Sequence, residues 1–336
     1  MNLMAWLRQE EEKKKVRGDW PRDVDGIRAA TEIIWQRPLH RYYPDHSVDH
    51  SERIIDTLSK LTEDLMLGDN ISSTEVYVLL ASAYLHDIGM QDERSMGDDL
   101  KQIRIHHHEL TSRIIIDRYL KQSDRNIPLG FSDLVPVDIV NTIASVAEAH
   151  RRTNLQGSQY EGFAYGDGVI HPRLLAALLR LADELDVDSR RVVGMQQLSL
   201  TNITAESEFH WHLCNYVSGV QIANGLITVH YRFPERCEES YARIVVPLVR
   251  GKIQEEFPIL QKILWEHGCK VQMSDEYEMR SVPGLECMSP EVIELALAKR
   301  KEKHTKEIVH HKEEIEFCDS MTNAALRHAR VENFDE

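Results

Sequence analysis

Residues 72–89 read SSTEVYVLLASAYLHDIG, and this stretch decides how the rest of the chain is interpreted. Its opening serines, with a glutamate three residues after the first, form the pattern of an N-terminal helix cap. The apolar run of residues 76–85 follows, broken by a single serine, and Gly89 is a residue type that commonly ends helices. A helix over about 74–88 is therefore predicted, with Gly89 as its C-terminal stop.

Two acidic groups are predicted to lie in apolar surroundings. His86 and Asp87 close a helix that is apolar on nearly every face, and Asp183 lies one turn from Leu179 in the second apolar helical run, RLLAALLRLADEL over 173–185. An unpaired charge in such surroundings is costly, so both carboxylates need a compensating partner.

The periodicity of apolar residues predicts a mainly α fold with three parts. Residues 1–195 are predicted to form a helical bundle, 196–285 a smaller α+β unit, and 286–336 a charged helical tail. The helices of the first part are expected at about 24–37, 47–65, 74–88, 98–121, 136–150 and 171–186.

The second part contains a hairpin pattern. Apolar and polar residues alternate over 226–233, and the Asn224-Gly225 pair that precedes them is typical of a tight β-turn after a strand at 219–222. A helix over 238–267 and strands at 269–273 and 277–282 are predicted to follow. His210-Trp211-His212 could contact a base or a metal, but strand alternation around a packed Trp211 is the favoured interpretation.

Composition narrows the class of protein. The 336 residues carry a formal net charge of -15, which argues against general binding to duplex DNA. The N-terminal residues lack the pattern of a signal peptide, and the longest apolar run is about half of what a membrane span needs. Five widely spaced cysteines fit reduced thiols rather than a zinc knuckle or disulfide framework. A cytoplasmic protein without a membrane partner is expected.

Histidines and aspartates of the helical part form the candidate site. They are His50, His86, Asp87, His107 or one of its neighbours His106 and His108, His150, and Asp183. Imidazoles and carboxylates together are ligands for divalent Mn, Fe, Zn or Mg ions. In the alternative interpretation the histidines are ordinary core or surface residues, and the aspartates pair with Arg53, Arg104, Arg113 or Arg180.

Arginines near these motifs offer a basic environment despite the acidic total. Arg104, Arg151 and Arg190 are the candidate substrate-binding residues, because arginine forms bidentate contacts with phosphate. Arg151, which directly follows His150, is the first choice.

The order of the motifs resembles the HD superfamily of metal-dependent phosphohydrolases. The resemblance rests on HSVDHSERII at 46–55, AYLHDIGM at 83–90 and LRLADELD at 179–186. His107 and His150 look like the two extra histidines that some members carry. The segment ESEFHW at 206–211, the hairpin and the helix after it resemble the HD-CE subgroup, which extends the similarity from about 40–190 to about 285.

The resemblance implies that His50, His86, Asp87 and Asp183 hold one divalent ion, which activates water for phosphate-bond hydrolysis. Mn, Mg, Fe, Co, Ni or Zn would suit the ligands, and one or two ions per chain are expected. Asp87, His107 and His150 would form the second site. Without a second ion, His107 and His150 become the candidate catalytic residues, as general acid and as a group that orients the phosphate.

The resemblance favours a nucleotide substrate, and a deoxynucleoside triphosphate in particular. A phosphodiesterase or nuclease acting on cyclic or single-stranded nucleic acid is the first alternative, and a regulator that binds a nucleotide without cleaving it is the second. The resemblance also suggests a homo-oligomer and a role in antiviral defence. In the interpretation as a regulator, the tail or the α+β unit would dock a regulatory partner protein.

Overall fold

The computed structural model describes residues 2–13, 19–36, 46–91, 100–121, 128–166, 168–187, 189–192, 205–235, 239–274, 279–282, 285–298 and 301. Within these ranges the fold is mainly α. The helices are α1 Leu3–Glu12, α2 Trp20–Ile34, α3 Val48–Leu61, α4 Glu63–Leu67, α5 Ser73–Leu85, α6 Leu100–Lys121, α7 Val137–Glu148, α8 Pro172–Leu185, α9 Ala205–Tyr216, α10 Glu239–Gln254 and α11 Phe257–Glu266. Short 3-10 helices span Ile88–Gln91, Ser158–Tyr160 and Ser189–Val192. Residues 290–298 are also helical.

The helix predicted over about 74–88 is α5, and it is buried along its whole length from Thr74 to Leu85. A capping box begins it: the Glu75 backbone N–H donates to Ser72 Oγ, and the Glu75 carboxylate accepts from the Ser72 backbone N–H. The helix packs against α1, α2, α3, α7 and α8, so its apolar surface is the centre of the bundle.

Gly89 has a different role from the predicted one. Helix α5 ends at Leu85, and Gly89 lies in the following 3-10 helix, where it packs closely against α6. Its N–H donates to Thr111 Oγ1 at 2.9 Å, and that hydroxyl donates to the His86 carbonyl at 2.8 Å. The glycine therefore allows the end of α5 to approach α6, rather than supplying the left-handed conformation of a helix stop.

Helix α1 was not among the predicted helices. Asn2 caps it by accepting from the backbone N–H groups of Met4 and Ala5, and Leu3 and Leu7 are buried one turn apart. The other predicted helices of the bundle are confirmed within a few residues, apart from a break after Leu61 that leaves α4 as a separate short helix.

Strands form two small sheets. β1 Phe163–Tyr165 pairs with β2 Gly168–Ile170, and β3 Val217–Ala223 pairs antiparallel with β4 Leu226–Pro234. The short strands β5 Gln272–Met273 and β6 Met279–Val282 run parallel to β4. The predicted hairpin is confirmed, with Asn224 at φ 50° and Gly225 at φ 74° in its turn.

Two predictions for the C-terminal half were wrong. His210, Trp211 and His212 lie in helix α9 and not in a strand, and the predicted helix 238–267 is divided into α10 and α11. The break at Glu255 and Glu256 places Pro258 in the first turn of α11, where the missing backbone N–H of a proline leaves no helical hydrogen bond unmade.

Met1–Ile203 and His210–Cys287 belong to one compact unit, and Thr204–Phe209 and Met288–Glu336 belong to a second. The domain boundary predicted near residue 195 falls outside the described residues, and so does most of the predicted tail. Within the described ranges no helix is long and apolar enough to cross a membrane. Cys214, Cys269 and Cys287 form no disulfide among the described residues, while Cys237 and Cys318 lie outside the described ranges.

We expect Gly89→Ala to lower the free energy of unfolding by about 1–3 kcal/mol or more, because overpacking forces neighbouring groups to move. A Cβ at this position would lie 2.0 Å from the His107 carbonyl oxygen and 2.7 Å from the Thr111 nitrogen. Urea denaturation measures the change. Gly168→Ala is the control, since a Cβ there meets nothing within 4 Å; equal losses in the two variants would contradict the prediction.

The structure also predicts a pH dependence of stability. Burial lowers the pKa of His212 to about 4. The unfolded chain therefore takes up a proton below about pH 6.5 that the folded chain does not, so stability present above that pH is lost as the pH falls towards 4. Between pH 7 and 5 this loss should reach about 2 kcal/mol.

The variant His212→Phe removes the titrating group and should flatten the pH dependence of the unfolding free energy by that amount. Both proteins are unfolded with urea at several pH values in the presence of EDTA, which separates this effect from metal binding. Identical pH dependence of the variant and the wild-type protein would show that His212 is not responsible.

Candidate metal centre

The predicted histidines and aspartates converge at one end of the helical bundle. They are His50 on α3, His86 and Asp87 after α5, His107 on α6, His150 after α7, and Asp183 on α8. All but Asp183 are buried, and the Asp183 side chain is 21% exposed. Six groups from five separate segments of the chain therefore share one partly enclosed environment.

Two parallel helices align the acidic residues. Glu75 at the start of α5 accepts hydrogen bonds from the backbone N–H and from Nδ1 of His171, the residue before α8. Asp87 follows Glu75 by twelve positions, and Asp183 follows His171 by twelve. Because helical residues rise by about 1.5 Å each, equal spacing from a shared starting contact brings the two carboxylates to the same level.

The first half of the centre contains His50, His86, Asp87 and Asp183. His50 Nε2 lies 3.2 Å from His86 Nε2 and 3.3 Å from Asp183 Oδ1. Asp87 Oδ2 lies 3.1 Å from His86 Nε2 and 3.6 Å from His50 Nε2. Two ligands of one transition-metal ion lie about 3–3.5 Å apart, given bonds of about 2.0–2.2 Å.

The second half contains Asp87, His107 and His150. The Nε2 atoms of the two histidines are 2.8 Å apart, and Asp87 Oδ1 lies 3.3 Å from His107 Nε2 and 3.4 Å from His150 Nε2. Asp87 thus directs one oxygen to each half of the centre.

Each of the four imidazoles is held by its other ring nitrogen. The Nδ1–H groups of His86, His107 and His150 donate to the carbonyl three residues earlier, at 2.9, 2.7 and 2.6 Å. His50 Nδ1 donates to Asp186 Oδ2 at 2.6 Å. Because carbonyl and carboxylate oxygens accept only, these bonds fix the proton on Nδ1 and leave Nε2 as a ligand atom.

This tautomer makes the cluster suited to cations. In neutral imidazoles with Nδ1 protonated, the Nε2 atoms of His107 and His150 carry lone pairs that face each other at 2.8 Å. A cation shared by both nitrogens converts this repulsion into attraction. In each half, three donor atoms lie within 4.8 Å of one another, and they fit a divalent ion.

Electrostatics lead to the same conclusion. Burial alone would lower the pKa of His86, but the carboxylates of Asp87 and Asp183 raise it to about 9. Burial would raise the pKa of Asp87, yet His86 and His46 hold it well below its usual range. Burial and the neighbouring His107 keep the pKa of His150 low. The carboxylates are ionised and His150 is neutral. A proton and a metal ion would therefore compete for the Nε2 lone pair of His86.

Three residues near His50 were not predicted as parts of the site: Asp186, Arg53 and Arg191. Asp186 is buried and accepts from His50, and it also pairs with Arg53 at 2.9 Å and with Arg191 at 3.6 Å. These partners keep the pKa of Asp186 far below its usual range, against the raising effect of burial. The signal in the sequence was Asp186 itself, three residues after Asp183.

Arg180 holds the turn that carries His150. The guanidinium is 3% exposed, and it donates to the carbonyls of Ala149 and Thr153 at 2.7 and 3.0 Å. Glu256, between α10 and α11, lies 3.8 Å from Arg180 and accepts from Arg152 at 2.9 Å. Arg180 therefore stabilises the backbone of the turn that carries His150, and does not neutralise an aspartate of the centre.

The remaining arginines occupy two kinds of position. Arg104 and Arg151 line a cleft over the centre, together with Leu213 and Cys214 of α9. Arg190 is exposed, and its neighbour Arg191 is the one that lines the cleft, because successive residues of a 3-10 helix point about 120° apart. The prediction that Arg190 contacts substrate is thus not supported by its position. Arg113 is exposed as well.

The structure also decides between three adjacent histidines. His107 is the one directed into the centre, whereas the side chain of His106 is 36% exposed and that of His108 is 18% exposed. His46, four residues before His50, contributes a nitrogen 2.9 Å from Asp87 Oδ2 and was not predicted as a site residue.

These features define a mainly helical protein with a buried His/Asp centre suited to divalent metal ions. Residues 40–263, more than half of the chain, match the HD-CE family, and the chain belongs to that family. The assignment implies a metal-dependent hydrolase of the HD type, in agreement with the donor groups of the centre. No curated protein matches the chain.

We expect Asp186→Asn to weaken the binding of Mn²⁺ about 10–100-fold, the usual effect of losing a partner that orients a metal-binding histidine. Isothermal titration calorimetry measures the affinity, and circular dichroism confirms folding. Asp25→Asn is the control, because it removes a carboxylate from the exposed Arg8–Asp25 pair. Wild-type affinity in Asp186→Asn would contradict a role for Asp186 in orienting His50.

Proposed function

We propose that this chain is a nucleotide phosphohydrolase that uses two divalent ions. One observation carries the proposal: the two oxygens of Asp87 face two separate groups of imidazole nitrogens. Each oxygen is as far from its nitrogens as two ligands of one ion are from each other. In this proposal His50, His86, Asp87 and Asp183 hold the first ion, and Asp87, His107 and His150 hold the second. Bound divalent ions supply an activated water and neutralise charge on phosphoryl oxygens.

The protein's own groups would position the substrate. Arg104 and Arg151 lie on the cleft wall beside the histidines of the second half, since Arg104 precedes His107 by one helical turn and Arg151 follows His150. Guanidinium groups there suit the equatorial oxygens of a phosphate. Leu213, Cys214 and Val187 form an apolar part of the same wall, on which a sugar or base could pack.

Two reactions remain candidates within this proposal. Similarity to helical HD proteins with an added α+β segment favours hydrolysis of a deoxynucleoside triphosphate to nucleoside and triphosphate. The bridging position of Asp87 favours the second, cleavage of a phosphodiester in a cyclic or single-stranded nucleic acid, because two ions can stabilise both the attacking and the leaving oxygen.

The first test is a panel of ribo- and deoxynucleoside triphosphates, cyclic mono- and dinucleotides and a short single strand, each incubated with Mn²⁺, Mg²⁺, Co²⁺ or Ni²⁺. Liquid chromatography with mass spectrometry identifies the products. Nucleoside with triphosphate indicates the triphosphohydrolase, and linearised or shortened oligonucleotides indicate the phosphodiesterase.

We expect His86→Ala with Asp87→Ala to lower turnover by about 10³-fold or more, since metal-ion catalysis contributes several kcal/mol to the barrier. His106→Ala is the matched control, because this partly exposed histidine adjoins His107 without entering the centre. Turnover that survives the double substitution would contradict the proposal. If the wild-type protein binds nucleotides and turns over none of the panel, the interpretation as a regulator replaces it.

A further inference from the structure

His46 occupies a position next to the first half of the centre. Its Nδ1 lies 2.9 Å from Asp87 Oδ2, the oxygen that also faces His50 and His86. The donor atoms of His46, His50 and Asp87 all lie within 4.8 Å of one another. The His46 ring packs edge-on to that of His50, with centroids 5.6 Å apart, and its side chain is 21% exposed.

The nature of the contact between His46 and Asp87 depends on whether His46 Nδ1 carries a proton. Arg191 Nη2 lies 3.3 Å from the same nitrogen, and a guanidinium only donates, so Nδ1 accepts a bond from Arg191 only when its lone pair is free of a proton. An Nδ1 that carries a proton could donate to Asp87 but would then face the N–H of Arg191. The nitrogen cannot satisfy both neighbours, and with an unprotonated Nδ1 two electron-rich atoms face each other at 2.9 Å.

Two facing donor atoms at this distance are typical ligands of one cation. We propose that His46 is a fifth protein ligand of the ion in the first half of the centre, beside His50, His86, Asp87 and Asp183. The proposal rests on the metal centre of the proposed function and extends it to a residue outside the HD signature.

The proposal gives the two halves different chemistry. The first would have three nitrogen and two oxygen donors, whereas the second has two nitrogens and one oxygen. A nitrogen-rich set favours Co²⁺, Ni²⁺, Zn²⁺ or Fe²⁺ over Mg²⁺, which prefers oxygen ligands. With five protein ligands, the first ion would offer one open position in a six-coordinate shell. The second would offer three, so phosphate oxygens would bind mainly there.

A competing explanation is that His46 acts only by donating a hydrogen bond to Asp87. Two substitutions separate these roles. In His46→Gln the side-chain amide can still donate to Asp87, but the imidazole ligand is lost, whereas His46→Ala removes both. His106→Ala is the control for general effects of removing a histidine near the centre.

The experiment titrates the apo forms of all four proteins with Co²⁺ by calorimetry, with folding checked by circular dichroism. The wild-type protein should bind two ions. In both His46 variants one of the two sites should weaken at least about tenfold, since losing a ligand costs no less than losing an outer partner. Exogenous imidazole should restore that site in His46→Ala, and X-ray absorption of the Co²⁺-loaded protein should show fewer imidazole ligands in both variants.

Three results would overturn the inference. Unchanged Co²⁺ affinity in both variants would exclude His46 as a ligand while leaving the two-ion proposal intact. Wild-type affinity in His46→Gln alone would make His46 a positioning residue for Asp87. Failure of the wild-type protein to bind Co²⁺ would reject the proposed metal centre itself.

Discussion

The fold depends on one electrostatic constraint: the carboxylates of Asp87 and Asp183 lie at the ends of two apolar helices, where Asp87 is buried and Asp183 is only partly exposed to water. Four imidazoles surround them, and each of these is anchored through Nδ1 to an oxygen that can only accept. Such an arrangement repels itself unless a cation is shared, because a buried charge must be paired. The helices, the tethering carbonyls and the supporting arginines all serve to hold these groups in place.

Helix ends provide much of this support. The last carbonyls of a helix have no intrahelical partner, and α5 and α7 use theirs, at Ala83 and Ala147, to accept from the histidines that follow. A histidine placed just after a helix thus satisfies the helix end and presents Nε2 to the site. The same residues stabilise the fold and prepare the centre, so the structural and chemical roles are not separable here.

The sequence predicted the helical class, most helix positions, the hairpin and the residues that meet in the centre, because strong periodicity and a few chemically rare residues carried that information. It failed where local patterns conflict with tertiary packing. The alternation around Trp211 resembled a strand, but α9 buries this residue as part of a helix. Arg180 was a candidate partner for the aspartates, and its engagement with the turn after α7 depends on contacts between distant elements that a local pattern does not encode.

Asp186, His46 and Arg191 illustrate a second limit. The residue type of each is common in its local sequence. Only the folded structure shows that all three surround His50 and Asp87. Burial and proximity, which distinguish them from surface residues, arise from packing. Of the three, Asp186 and His46 could have been noticed by their spacing from the signature residues, whereas Arg191 could not be told from Arg190.

The Glu75–His171 contact fixes α5 and α8 at a common level, and the same number of residues separates this contact from the aspartate on either chain segment. A residue inserted into either helix beyond that contact would advance its terminal aspartate by about 1.5 Å and rotate it by about 100°, out of the centre. The two helices must therefore keep equal spans beyond that contact if their aspartates are to meet. A matched pair of twelve-residue intervals is a length signature by which distant sequences with the same centre can be sought, even where their side chains have diverged.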